Sequence, residues 1–263
     1  MSGPQRDRKL NSRPSGSRLM RQTWSHLLFM HWRIDEALLA PLLPRKLELD
    51  LHDGAAWIGL IPFSMRHVRP GFGPSIPGLS SFGEVNLRTY VTFRGEPGVW
   101  FLSLDASNPL AVWFARVAFH LPYFRASIRT SNDETRNQFS SRRSGRSGVP
   151  ATFDAQWRPG APLGRIKPGS LPWFLTERYR LFTSVNQEIR TAEIRHDPWP
   201  LREATLDRFE STLFEAAGLP APSAPPVLHH SDELAVEVWP LRNPAQSARR
   251  SVLIEPEGAP KPV

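Results

Sequence analysis

The chain of 263 residues has no cysteine. Disulfides and thiolate chemistry are therefore excluded, and a reducing compartment fits the composition. Lysine is nearly absent too: of 33 basic residues, Lys9, Lys46, Lys167 and Lys261 are the lysines. No apolar run reaches the ~20 residues that a helix needs to cross a bilayer, so no membrane span is expected. The opening stretch, MSGPQRDRKLNSRPSGSR, lacks the apolar segment of a secretory signal peptide. A soluble, cytoplasmic protein is the expectation. Motifs of cofactor and nucleophile chemistry are missing as well: there is no GxGxxG, P-loop, GxSxG or HExxH. His26 and His31 are five apart and His229 and His230 are adjacent, and neither spacing is that of a metal site. No cofactor and no metal is expected.

What the chain does have is apolar content of 40% and a net charge of +8. The first is ample for one large core. The second raises nucleic acid as a partner, but the charge is scattered where chains are usually solvated. Arg6, Arg8, Lys9, Arg13, Arg18 and Arg21 crowd the N-terminal segment, and Arg249 and Arg250 lie near the other end. Arg136, Arg142, Arg143 and Arg146 fall in TSNDETRNQFSSRRSGRSG, which reads as a Ser/Gly-rich loop. Nucleic acid is not expected as the main partner. The division implied is a disordered basic tail over 1–20, a single domain over 21–243, and a disordered tail over 244–263.

Proline is plentiful, with 27 residues. Many short strands joined by turns accommodate that, and long helices do not. LELDLH and AAWIGLIPF flank Asp53-Gly54, a two-residue hairpin signal. LRTYVTF and VWFLSLDA flank GEPG, a second one. YFRASIRTS, ATFDAQWRP, WFLTERYRLFTS and EIRTAEIRH read as further strands. Two helices are predicted. SNPLAVWFARVAFHL (107–121) has a capping Ser107 or Asn108, Pro109 in its first turn and Pro122 to stop it. Its apolar residues run almost all round, which predicts burial. LREATLDRFESTLFEAAG (201–218) places Leu206, Phe209 and Leu213 on one helical face. A short helix should begin at Asp35. The fold class is α+β, mainly antiparallel β, curled into a partial barrel with a few packed helices.

Chemistry-bearing residues sit inside apolar sequence. In FGEVNLRTYV (82–91), Val85, Leu87, Thr89 and Val91 share one strand face, and Glu84, Asn86, Arg88 and Tyr90 the other. That polar face either meets solvent, as many antiparallel strands do, or lines a pocket. Glu84 and Arg88 are about 13 Å apart along the strand, so each needs a different partner if buried. Glu177 and Arg178 lie between aromatics in WFLTERYRLF, as a structural ion pair, a solvated stripe or a site. His196 and Trp199 are placed in a rigid turn by HDPWPL, either plugging a core edge or facing a ligand.

From Trp24 to about Pro240 the chain resembles the YqjF-like family of uncharacterised proteins, also called domain of unknown function 2071. PLLPRKLELDLHDGAAWIGLIPF, FGEVNLRTYV, GEPGVWFLSLDAS, FLTERYRL, HDPWPL and VWP carry the resemblance, in order. That family is in turn similar to acetoacetate decarboxylase, which implies a curled antiparallel barrel around an internal cavity. In the decarboxylase pattern a Glu-bearing strand leads through a hairpin to a helix and then to Phe-Pro-Lys-Lys. The first lysine forms a Schiff base with the substrate ketone, and the second lowers its pKa. Here Glu84 falls on that strand, Arg116 in the helix and Pro122 at the proline, and Tyr123 and Phe124 stand where the lysines would be. Schiff-base chemistry needs a desolvated amine, so it is not expected.

The resemblance implies a pocket lined by Glu84, Asn86, Arg88, Tyr90, Arg116, Tyr123 and Arg178, with His196 and Trp199 beside it. The partner expected is a small anionic or keto-acid-like molecule, because arginine matches carboxylates bidentately. Glu84 would act as general acid or base and Tyr123 would donate a proton or orient the ligand, in lyase, hydrolase or isomerase chemistry. Two alternatives stand beside that: a ligand-sensing protein without turnover, and a structural or interaction protein without a pocket.

Overall fold

A computed structural model describes residues 14–74, 80–133, 135–146 and 148–244. The N-terminal segment 1–13 and the tail from 245, with Arg249 and Arg250, lie outside the described residues. Part of the expected N-terminal tail is packed. Gly16 accepts a hydrogen bond from Trp239 Nε1 at 3.1 Å, and Arg18 reaches Glu237 at 2.9 Å.

Among the described residues, twelve strands form one curled, mostly antiparallel sheet. They are β1 (Met20–Ile34), β2 (Glu48–Leu49), β3 (Ala56–Pro70), β4 (Phe82–Phe93), β5 (Glu96–Ala106) and β6 (Tyr123–Asn132). Then follow β7 (Asn137–Arg143), β8 (Ala151–Pro162), β9 (Arg180–Val185), β10 (Glu188–Arg195), β11 (Arg202–Ser211) and β12 (Val227–Val238). The helices are short: α1 (Glu36–Leu39), α2 (Pro109–Phe119), α3 (Leu171–Thr176) and α4 (Leu213–Ala216). The second predicted hairpin forms; at the first the turn forms, but only an isolated His52–Ala55 bridge flanks it, and β2 pairs with β4 rather than with β3. Asp53 and Gly54 take positive φ, as a two-residue turn requires. Phe93 pairs with Glu96 around Arg94-Gly95, one residue earlier than GEPG implied. Asp35 caps α1 by accepting from the Ala37 N–H.

The sheet closes on itself twice. Strands β12, β1, β3, β4 and β5 lie side by side. On its far edge β5 pairs with β9 at Val99 and Trp100, and with β6 from Leu104 to Ala106. β12 likewise meets β10 at one end and β11 at the other. One ring is therefore completed by β9 and β10, and the other by β6, β7, β8 and β11. The five shared strands have both faces covered, which explains why β4 is buried from Gly83 to Val91. Gly98 permits the β5–β9 closure, because a Cβ there would come within 2.6 Å of the Phe182 ring.

Four expectations are corrected. Residues 202–211 form β11, not a helix. A β-bulge between Leu206 and Arg208 inserts one residue, so Leu206 and Phe209 return to one strand face. Their three-residue spacing imitates a helix, and both pack against the core cluster of Met30, Trp157 and Phe214. Leu171–Thr176 is helical rather than extended, with Pro172 in its first turn. Glu177 and Arg178 thus lie in the link from α3 to β9. Residues 137–143 are strand rather than loop, and Arg143 is buried. Finally, α2 forms with Asn108 as its cap but is not buried. Val112 and Phe119 face the protein, while Leu110, Trp113, Phe114 and Val117 are exposed.

Candidate functional site

The two faces of β4 meet different interiors. Val85 and Leu87 join the packed core between β1, β3 and the β6–β11 side. Glu84, Asn86 and Arg88 face a cavity of about 550 Å³ inside the ring closed by β9 and β10. Its wall is mainly apolar, with Trp24, Phe29, Ile61, Phe63 and Phe101 among the contributors. Helix α2 supplies Leu110, Trp113 and Phe114.

Glu84 is 2% exposed. Tyr123 Oη–H donates to its Oε2 at 2.7 Å. Burial raises the Glu84 pKa from 4.5 to about 7, against the hydrogen bonds from Tyr123 and Asn86, which lower it; the charge of Asp105 raises it further. Burial and the Glu84 carboxylate push the Tyr123 hydroxyl well above its usual range, so Tyr123 stays protonated near neutral pH. Asp105 is itself held by Arg143, in a fully buried pair, with the guanidinium 3.9 Å from the Phe124 ring centroid.

The cations differ from one another. Arg178 Nη1 pairs with Asp50 at 2.5 Å and its Nε–H donates to the Phe174 carbonyl at 2.6 Å. Its Nη2 is buried without a partner. Arg88 donates from Nη2 to the Leu175 carbonyl at 3.3 Å, and its Nε is buried and unpartnered. Among the described residues no carboxylate lies within ion-pair distance of Arg88. His196 stacks on Tyr179 at 4.6 Å. Burial lowers its pKa to about 4, so the ring is neutral. Its Nδ1–H donates to the Asp197 carbonyl at 2.7 Å, which leaves Nε2 as an unpartnered buried acceptor. Asn86 Oδ1 is a second such acceptor.

Of the nine residues singled out from sequence, Glu84, Asn86, Arg88, Tyr123, Arg178, His196 and Trp199 line the cavity. Tyr90 and Arg116 do not join that wall. Tyr90 turns its hydroxyl to His31 Nε2 at 2.7 Å and donates to the Leu175 carbonyl at 2.8 Å. Its ring also lies 4.9 Å from the Arg178 guanidinium, so it braces that cation. Arg116 is exposed and donates its Nε–H to the Tyr123 carbonyl at 2.7 Å. Trp199 is pinned by bonds to Glu177 and to the Thr176 carbonyl, and it stacks on Trp24. Sequence reasoning missed Asp50, the partner of Arg178, and the pair of Asp105 with Arg143. Each acid lies in a strand-like apolar run, the same signal that marked Glu84. Lys46 is exposed and pairs with Glu188, and Lys167 is exposed. Neither lines the cavity. Among the described residues no cluster of three or more acidic or histidine side chains could hold a metal, and no helix is long and apolar enough to cross a membrane.

The doubly closed sheet around a cavity is an acetoacetate-decarboxylase-like fold. It is similar to the enduracididine biosynthesis enzyme MppR complexed with the condensation product of pyruvate and imidazole 4-carboxaldehyde (TM-score 0.59, 14% identity, 89% of this chain and 90% of that one). It is also similar to acetoacetate decarboxylase from Legionella pneumophila (TM-score 0.57, 12% identity, 86% and 87%). At such identity the likeness is one of fold. Residues 21–235 match the family called domain of unknown function 2071, described as an uncharacterized conserved protein. The chain belongs to that family. It is 41% identical over 218 residues to the uncharacterized protein YqjF of Bacillus subtilis strain 168, covering 83% of this chain and 89% of that one.

Proposed function

We propose that the cavity binds a small anionic, keto-acid-like molecule and that Glu84 moves a proton on it, without a Schiff base. One observation carries the reading: a buried carboxyl with a pKa of about 7 shares a cavity with a buried guanidinium, Arg88, that has no carboxylate partner among the described residues. A general base is most effective when its pKa lies near the working pH. An unpaired buried cation is costly unless an anion completes it, and Arg88 and Arg178 each retain an N–H for that purpose. A fold neighbour holding a pyruvate-derived molecule supports the ligand class.

In this reading the ligand carboxylate lies against Arg88 and Arg178. Neutral His196 offers Nε2 as an acceptor for an O–H of the ligand, such as the enol formed after proton transfer. Ionised Glu84 takes a proton from the carbon next to the ligand's keto group and returns it to the product. Tyr123 positions that carboxylate through its 2.7 Å bond. No described lysine reaches the cavity, so a lyase or isomerase step would run through the enolate rather than an imine. A reducing, cytoplasmic setting suits a cysteine-free chain.

Calorimetric titration with pyruvate and 2-oxobutanoate, followed by proton NMR in D2O, tests this. Binding that is lost in Arg88→Met, and C3-proton exchange that is lost in Glu84→Gln, are expected. Exchange at equal rates in wild type and Glu84→Gln would remove the catalytic assignment. Binding without exchange would leave a ligand sensor.

A further inference from the structure

The cavity is larger than the head group proposed for it. A liquid water takes up about 30 Å³ and a three-carbon keto acid roughly the space of four, so it would fill about a fifth of 550 Å³. The remaining space has a defined chemistry and direction. Along β4 the wall runs Phe82, Glu84, Asn86, Arg88. At the Arg88 end it is polar, with Thr176 from the end of α3, Arg178 from the α3–β9 link and His196 from the turn after β10. At the Phe82 end it is apolar. Strand pairing brings Met65 opposite Phe82, Trp24 opposite Met65 and Met20 opposite Pro70. Arg69 joins that end from β3.

Helix α2 follows the end of β5 beside Glu84, since Ser107 N–H donates to the Gly83 carbonyl. It therefore stands at the apolar end. Leu110 and Trp113 line the cavity there and are also 56% and 62% exposed. The apolar wall thus runs without a break from the interior to solvent. A ligand that ended at Glu84 would leave this surface wet, and apolar side chains gain most when something apolar covers them.

We infer that the ligand is amphipathic: behind its charged head it carries a hydrocarbon chain or ring system that runs past Glu84 and Asn86 to Phe82 and lies under α2. This rests on the preceding reading for the head group but not for the tail. The cavity lies in the size range of sites for drug-sized molecules. Asn86, Arg88, Arg178 and His196 lie toward one end, and the Phe82 end is mainly apolar, with Gln22 and Arg69 as its polar members.

Calorimetric titration of the full chain with straight-chain carboxylates from butanoate to decanoate, each below its micelle concentration, is the test, with the matching 1-alkanols as controls. Affinity should rise about fourfold per methylene, from ~0.8 kcal/mol each, until the cavity is full. Ala115→Trp, which puts bulk on the lining face of α2, should stop the rise at a shorter chain. Trp113→Ala should weaken decanoate several-fold and leave butanoate unchanged. Both substitutions sit on a partly exposed helix, so folding is not at stake. Affinity that is flat with chain length yet lost in Arg88→Met overturns the tail and leaves the anionic site standing. A rise shared equally by alkanols and by Arg88→Met supports the tail and overturns the head-group reading. A rise unaltered by Ala115→Trp and Trp113→Ala overturns the path under α2.

Discussion

Replacing Glu84 by glutamine should stabilise the protein at alkaline pH and leave it unchanged in acid. Glu84 is fully buried, and its pKa moves from 4.5 unfolded to about 7 folded, first because of desolvation. A carboxyl with a raised folded pKa binds its proton more tightly in the native state. The stabilising contribution of that proton is complete below pH 4.5 and is lost as pH rises through about 7. A shift of roughly 2.5 units at 1.36 kcal/mol each makes the loss about 3 kcal/mol. Glutamine keeps an oxygen for the Tyr123 hydroxyl and never ionises, so it escapes the loss. For a chain of this size the variant should melt roughly 6–12 °C above wild type at pH 8 to 9, and level with it near pH 4. Urea or thermal melts of both proteins across that range measure the difference. Parallel curves would refute the reasoning, because they would mean that Glu84 ionises without penalty and so is not buried with an unfavourable charge.

Two of the buried arginines, Arg143 and Arg88, should differ in the cost of removal. Arg143→Met strands Asp105 as a buried carboxyl and should cost about 3–5 kcal/mol in urea denaturation, whereas Arg88→Met strands no carboxylate and should cost less than about half of that; equal costs would contradict the pairing. Tyr123→Phe removes a hydrogen bond that lowers the Glu84 pKa, so the midpoint of the Glu84 carboxyl in a carbon-13 NMR titration should move above about 7, and an unchanged midpoint would disprove Tyr123 as its partner. Borohydride added with pyruvate should leave the mass of the protein unchanged, and a reduced adduct would show that a lysine forms an imine after all.

Local features were readable in the sequence wherever a short-range rule governs them. The Asp53-Gly54 turn, the Asp35 cap and the Asn108 cap each depend on neighbours a few residues away. The division of β4 into an apolar and a polar face also follows from strand geometry alone. Misreadings arose where two local patterns coincide. The spacing of Leu206 and Phe209 fits a helix face, and equally a strand with one bulged residue. Apolar residues all round α2 read as burial, yet half of them face a cavity mouth and solvent. Tyr90 alternates with the cavity-facing residues, but Phe174 and Leu175 of α3 pack over that end of β4, and the hydroxyl goes to His31 and the Leu175 carbonyl.

From its residues alone, the chain settles that the two positions directly after Pro122 are Tyr123 and Phe124 rather than lysines, and that Glu84 and Arg88 lie on one face of a strand. Whether that face would be wet or enclosed was decided elsewhere. β9 and β10 close the ring by pairing with β5 and β12, strands distant from them in sequence. A side chain's direction from its own strand is set by backbone geometry within two residues. What it meets there, and hence the desolvation that lifts Glu84 to about 7, depends on which distant strands complete the wall.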